Sequence, residues 1–241
     1  LELDFTRHEK GFRSSKVSQV LEEEDRRLGL ILEASRQAGA SERTAFVVFG
    51  DHAYLDAHTA VHLNTALARA GLISLDRRGR LAGWQAWANT CEGSAPVYLN
   101  DRSDGTLRRR ALAALESLAA EPAHGIETIY RGGQIPKEGL ADGIDFVLEA
   151  REGFYFSPSL HPDVSSPAEP MHRAVHGYHP GREGYTSLFL AAGAGIRAGV
   201  ELEQMCVTEI GPTLAVLLGL DLPEAEGKAR AEILTTRNGH G

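Results

Sequence analysis

Three short segments set a carboxylate or a histidine cluster where chemistry is possible. Asp4 and His8 stand four apart ahead of Gly11, Asp51 and His52 are adjacent, and His172, His176 and His179 share the run His172-Arg-Ala-Val-His-Gly-Tyr-His-Pro180. Carboxylate oxygen combined with imidazole nitrogen suits a divalent ion such as zinc. The two cysteines, Cys91 and Cys206, are far apart and form no Cys-x-x-Cys, so neither thiolate ligation nor a disulfide framework is indicated. Any metal must then be held by histidine and carboxylate. Taken singly, each segment also has a plain structural reading. Asp51 can cap the turn that follows while His52 packs, Asp4 and His8 can sit on an exposed terminal turn, and His176 can be a surface-loop histidine.

The elements that would position these residues are legible in part from periodicity. Leu1-Glu2-Leu3-Asp4 alternates apolar and acidic residues and reads as the end of a strand, so a segment upstream is expected. Val17, Val20, Leu21, Leu28, Ile31 and Leu32 follow three-and-four spacing, which predicts an amphipathic helix over 15–38, capped by Ser14 or Ser15 and ended by Gly39. The continuous apolar run Ala45-Phe-Val-Val-Phe49 suits a strand buried on both faces of a parallel sheet. Asp51 and His52 follow it directly, at the carboxyl edge where open α/β sheets bind ligands.

A helix is expected over 59–70, with His58 and His62 facing solvent. Their spacing imitates a zinc-protease helix, but Thr59 stands where that motif needs glutamate. Between 81 and 160 the pattern gives a strand at 95–99, a helix at 106–120 and strands at 126–130 and 145–148, a small α+β insertion. The stretch 161–184 is rich in Pro, Gly, His and Ser and reads as a long loop, uncommon unless functional. A strand at 187–192 and a final helix opened by Pro212 complete the chain. The expected fold class is therefore α/β: a mostly parallel sheet flanked by helices, built from residues 1–80 and 161–241, with the α+β insertion at 81–160.

Composition narrows the partners. A net charge of -8 and pI near 5.7 argue against a protein that neutralises a nucleic-acid backbone, while a small phosphate ester held through metal remains open. Arg108-Arg-Arg110 and Arg77-Arg-Gly-Arg80 read as solvated faces. Gly193-Ala-Gly195 lacks the third glycine of a dinucleotide fingerprint. No apolar run approaches the roughly 20 residues of a membrane span. A soluble chain is expected, with the cytoplasm favoured as compartment; oligomeric state is not indicated.

The order of the motifs resembles the type I phosphodiesterase/nucleotide pyrophosphatase family of the alkaline phosphatase superfamily, along most of the chain. That family's Asp-x-x-Gly-His-x-x-Gly segment, long helix, strand into Ser-Asp-His-Gly, insertion and His-Gly-Tyr correspond to Asp4-Phe-Thr-Arg-His8-Glu-Lys-Gly11, Gly50-Asp-His-Ala53 and His176-Gly-Tyr178. Phe189-Leu-Ala-Ala-Gly-Ala-Gly-Ile196 and the stretch from Ile210 to Pro223 resemble its closing turn and helix.

The resemblance implies an alkaline-phosphatase-like fold, incomplete here, and two divalent ions, zinc by preference. Asp4, His8 and His176 would hold one ion, and Asp51 and His52 would form part of the second site. His172 and His179 would neighbour the substrate. The implied activity is hydrolysis of phosphodiester or pyrophosphate bonds, by attack of a hydroxyl to give a covalent phospho-enzyme that is then hydrolysed. The family's nucleophile and its remaining aspartate lie upstream of the first motif, so no catalytic nucleophile is expected in this chain, which should be inactive alone. Gly50, Ala53, Arg7 and Ala194 depart from the family pattern. Gly50 and Ala53 leave room for a degenerate metal-binding module without turnover; a phosphonate hydrolase of the same superfamily is a further alternative.

Overall fold

In the computed structural model, which describes residues 2–135 and 140–235, the chain falls into two units, Leu1–Leu21 with Tyr54–Tyr185 and Glu22–Ala53 with Thr186–Gly241. The helices are α1 (Glu2–Lys10), α2 (Ser15–Gln37), α3 (Leu63–Arg69), α4 (Gly105–Ala119) and α5 (Ile210–Leu218). The strands of the first half are β1 (Ala45–Phe49), β2 (Leu55–Val61), β3 (Ile73–Leu75), β4 (Leu81–Trp84), β5 (Ala86–Ala88) and β6 (Ser94–Leu99). Those of the second half are β7 (Ile126–Arg131), β8 (Phe146–Ala150), β9 (Gly153–Phe156), β10 (Ser165–Pro167), β11 (Ala174–Val175) and β12 (Phe189–Gly193).

Part of the core of the first unit lies in the segment that reads as an insertion, and the rest comes from β2, α3 and β11. Asp104 starts α4 by accepting the N–H groups of Thr106 and Leu107. Leu107, Ala111, Leu115 and Leu118 then form one buried stripe along the helix. Strands β5, β6, β8 and β7 lie in that order, each pair antiparallel. All five residues of β8 are buried, so both of its faces are covered. Asp145, just before β8, is a buried carboxylate that accepts the Leu99 N–H at 2.9 Å and pairs with Arg108 at 2.5 Å. Those partners offset the desolvation of its charge. Arg108 is thus tied to the core rather than being part of a solvated face.

Strand β2 organises the other main sheet. It pairs antiparallel with β10 and β11 and parallel with β9. Asn64 fastens α3 beside it to β5, donating to the Ala88 carbonyl and accepting the Ala88 N–H, each at 2.9 Å. In the second unit β1 and β12 pair antiparallel from Ala45 opposite Gly193 to Phe49 opposite Phe189. No helix among the described residues is long and apolar enough to cross a membrane.

Several expectations change. The mixed α/β class stands, but the sheets are largely antiparallel, with β2 and β9 the one parallel pair among the described residues. The run Ala45–Phe49, expected to be buried on both faces, is only part-buried and Phe49 is exposed, so a continuous apolar run fixes neither the cover of a strand nor the direction of its neighbour. Residues 2–4 open a helix instead of ending a strand. Their alternation spans too few residues to outweigh the acidic side chains that favour a helix N-terminus. The helix expected over 59–70 begins only at Leu63, because β-branched Thr59 and Val61 extend into β2. The stretch 161–184 carries the short strands β10 and β11. Pro212 is the third residue of α5, still within the first turn, where its missing N–H has no acceptor to lose.

His62 is consequently buried rather than solvent-facing. Its Nε2 lies 3.0 Å from Ser166 Oγ, its Nδ1 3.2 Å from the Ser159 carbonyl, and its ring stacks on His161 at 4.7 Å. Desolvation holds its pKa below the ordinary 6.5, so the folded chain favours the neutral ring. The unfolded chain then takes up the proton first as pH falls, and stability is lost below about pH 6.5. The urea midpoint should fall between about pH 7 and pH 5.5, and it should fall less in His62→Gln. Equal declines in the two proteins would remove His62 as a cause.

Candidate metal centre

Helix α1 sets Asp4 and His8 one turn apart on the same face, with His8 Nε2 3.7 Å from Asp4 Oδ1. Gly11, at φ +89°, ends the helix, and the next N–H, of Phe12, donates to Asp56 Oδ1 at 2.6 Å on β2. Two contacts dock α1 on β11. Arg173 N–H donates to the His8 carbonyl at 2.8 Å, and His8 Nδ1 lies 2.8 Å from the Ala174 carbonyl oxygen. A carbonyl can only accept, so Nδ1 carries the ring proton. The lone pair of Nε2 is then presented on the Asp4 side.

His176 follows β11 directly, and its ring centroid lies 5.2 Å from that of His8. Its backbone is clasped by the turn before β6. The His176 N–H donates to Glu92 Oε2 at 2.9 Å, and its carbonyl accepts the Gly93 N–H at 2.8 Å. Gly177 makes the clasp possible. It has φ +78°, and a Cβ there would lie 1.9 Å from the Cys91 carbonyl oxygen.

The ligand atoms of Asp4, His8 and His176 all lie within 4.8 Å of one another, the single such group of three among the described residues. One carboxylate and two imidazoles, with one imidazole tautomer already set by a backbone carbonyl, form a donor set that fits a zinc-like ion and leaves a position for another ligand.

Sequence reading missed two neighbours. Tyr54 is nearly inaccessible and donates its hydroxyl hydrogen bond to Asp4 Oδ1, with its ring edge-on to His8 at 5.4 Å and to His176 at 5.5 Å. Its position two residues past His52 was the available hint. Glu92 stands 3.8 Å from His8 Nδ1, 3.6 Å from His172 Nε2 and 3.7 Å from His176 Nε2. Nothing local announces it, since it lies 84 residues from His176 in the chain. The Arg7 guanidinium sits 5.1 Å over the Tyr54 ring, where burial lowers its pKa against the raising effect of Asp4.

The other expected residues divide. His172 stacks on Tyr155 at 4.7 Å and faces Glu92, so it adjoins the group. Burial pushes the Tyr155 phenol up to about 12, which keeps this platform neutral. His179 instead donates its N–H to Glu149 at 3.0 Å and stacks on Tyr130 at 6.1 Å. Asp51 and His52 belong to the second unit, just past β1. The His52 N–H donates to Asp51 Oδ1 at 3.1 Å, and His52 Nε2 is 3.6 Å from Asp51 Oδ2. A Cβ at Gly50 would lie 2.1 Å from Ser187 Oγ. The Ser187 hydroxyl thus fills the space that a side chain at 50 would need.

The sequence profile of the type I phosphodiesterase/nucleotide pyrophosphatase family matches residues 2–179. No curated protein matches the sequence. In structure the chain is similar to murine ectonucleotide pyrophosphatase/phosphodiesterase 5, an inactive variant in complex with AMP, with a TM-score of 0.69 and 20% identity over 96% of this chain and 56% of that one. It is also similar to the human protein of the same name, with a TM-score of 0.72 and 18% identity over 97% of this chain and 56% of that one. At these identities the likeness speaks for the fold. This chain spans a little over half the length of those neighbours.

Gly177→Ala should destabilise the protein by about 2–3 kcal/mol, from backbone strain and the clash with Cys91. Urea unfolding measures the loss, and a change below about 0.5 kcal/mol, the range of ordinary surface substitutions, would show that the clasp is not as tight as described.

Proposed function

The chain belongs to the type I phosphodiesterase/nucleotide pyrophosphatase family, and from that premise we propose that it supplies the metal-holding part of a hydrolase of phosphodiester or pyrophosphate bonds in small phosphate esters. The observation that carries the reading is the meeting of Asp4, His8 and His176 within 4.8 Å, from two segments far apart in the chain, helix α1 and the residue after β11. In this reading those three residues hold one divalent ion, zinc by preference, and Asp51 with His52 provides part of a second site. A bound divalent ion would polarise a phosphoryl group and ease ionisation of the attacking hydroxyl or water.

The chain's own groups do the preparing. The Ala174 carbonyl keeps the proton of His8 on Nδ1, and the Tyr54 hydroxyl holds one oxygen of Asp4 in place. His172 stands beside the centre, where it can meet a substrate oxygen, while His179 is given to the Tyr130 and Glu149 side. We assign the nucleophile to none of these residues. AMP in the murine neighbour is in keeping with a nucleotide-sized ester as substrate. Local cations would also let a chain of net charge -8 hold an anion.

Hydrolysis of bis-nitrophenyl phosphate by the full-length protein tests this. Chelation should abolish the activity, zinc should restore it, and His8→Ala or His176→Ala should lower kcat/KM at least about a hundredfold, or about 2.7 kcal/mol. Elemental analysis should show less bound metal in both variants. Metal bound without turnover would assign a degenerate binding module, and full metal content in both variants would remove the site.

A further inference from the structure

The turn before β6 carries a carboxylate where the backbone favours glycine. Glu92 has φ +56°, the one non-glycine with positive φ among the described residues. That conformation is strained for any residue with a Cβ, and such strain persists only where the surroundings hold it. Here they do. The Glu92 carbonyl accepts the Phe156 N–H at 2.7 Å, the Gly93 carbonyl accepts the Ala150 N–H at 2.9 Å, and Cys91 N–H donates to the Ser94 carbonyl at 2.8 Å. These bonds fix the turn on β9 and β8, in the best-buried part of the unit.

The fixed turn aims the Glu92 side chain at the centre. Oε2 accepts the His176 N–H at 2.9 Å, while Oε1 faces His8 Nδ1 and His172 Nε2. With the Gly93 N–H on the His176 carbonyl, both polar groups of that peptide residue are occupied by adjacent residues of one turn. The His176 backbone therefore has little freedom to rotate, and its ring is set toward His8 and Asp4.

We propose that Glu92 is a positioning residue of the Asp4–His8–His176 centre, preorganising His176 for metal through the hydrogen bond to its backbone N–H. The proposal rests on the metal-centre reading above and adds a residue from a part of the chain that carries none of its ligands. Outer groups that orient metal ligands typically change metal affinity about 10–100-fold when removed.

The test compares wild type, Glu92→Gly and Glu92→Gln in the full-length protein, by titrating the metal-free form with cobalt(II) against a chelating competitor and by measuring the metal-free Tm. Glycine relieves the strain at φ +56° and deletes the carboxylate, so a side chain without a role predicts an unchanged or higher Tm with unchanged affinity, and a purely structural role predicts a lower Tm. The positioning role predicts cobalt affinity about 10–100-fold weaker with no fall in Tm. Glutamine keeps an oxygen for the His176 N–H, so it should bind within about threefold of wild type on the same scale.

Glu92→Gly binding as tightly as wild type would overturn the proposal. So would equal losses in both variants, which would make the carboxylate itself a ligand, or weakened binding accompanied by a lower Tm. If Glu92→Gly does not fold, the proposal fails as well, because the side chain is then needed for the fold. A wild-type protein that binds no cobalt would instead remove the metal-centre reading.

Discussion

The hydrogen bond from His8 Nδ1 to the Ala174 carbonyl is the tie around which the centre is built. It joins residues 166 apart in sequence, and it does so at β11, a strand of only two residues. Ala174 and Val175 are fully buried and pair with Asp56 and Leu55 of β2, so the acceptor cannot drift. Asp56 in turn receives the Phe12 N–H at the end of α1. One pair of strands therefore places the helix that carries Asp4 and His8, sets the tautomer of His8, and delivers His176 one residue beyond its end. A single bond of this kind contributes about 1 kcal/mol net. Its larger consequence is preorganisation, since donors already oriented need not be ordered when a ligand arrives.

Around this tie, polar groups are balanced inside a largely aromatic shell. Asp4 and Glu92 face His8, His172 and His176, with Tyr54 and Tyr155 supplying an edge and a stacking plane. The phenol of Tyr155 is held neutral by burial, so it shapes the site without adding charge. Arg7 places a cation over the Tyr54 ring where the family's motif has glycine, and its proximity to Asp4 gives that carboxylate a nearby countercharge. The segment between β4 and β9 contributes the clasp on His176. It is thus joined to the site as well as to the core.

Some of the molecule was legible from its residues alone. Helix α2 appeared where three-and-four spacing put it, and α4 formed where a helix was expected at 106–120, because helical patterns are local. The direction of strands was not legible. An apolar run such as Ala45–Phe49 is equally compatible with either neighbour, and the antiparallel partner β12 lies far along the chain. His58 and His62 looked helical because spacing of four can arise by chance, and the β-branched residues between them decided for β2. Asp51 and His52 were found as a pair past a strand, as expected, within the second unit.

By itself the sequence determined which donors are available and how the nearest of them are spaced: Asp4 with His8 on one helical turn, Asp51 beside His52, and His176 ahead of a glycine. The reason is that helical periodicity and turn chemistry act over a few residues. Only the tertiary structure decided that His8 meets His176, that His179 turns to Tyr130 while His172 joins the group, and that Glu92 and Tyr54 complete it. Those meetings depend on the packing of β2, β9 and β11 and on a strained turn at Glu92. Contacts across such separations are set by the whole core, so no local pattern encodes them.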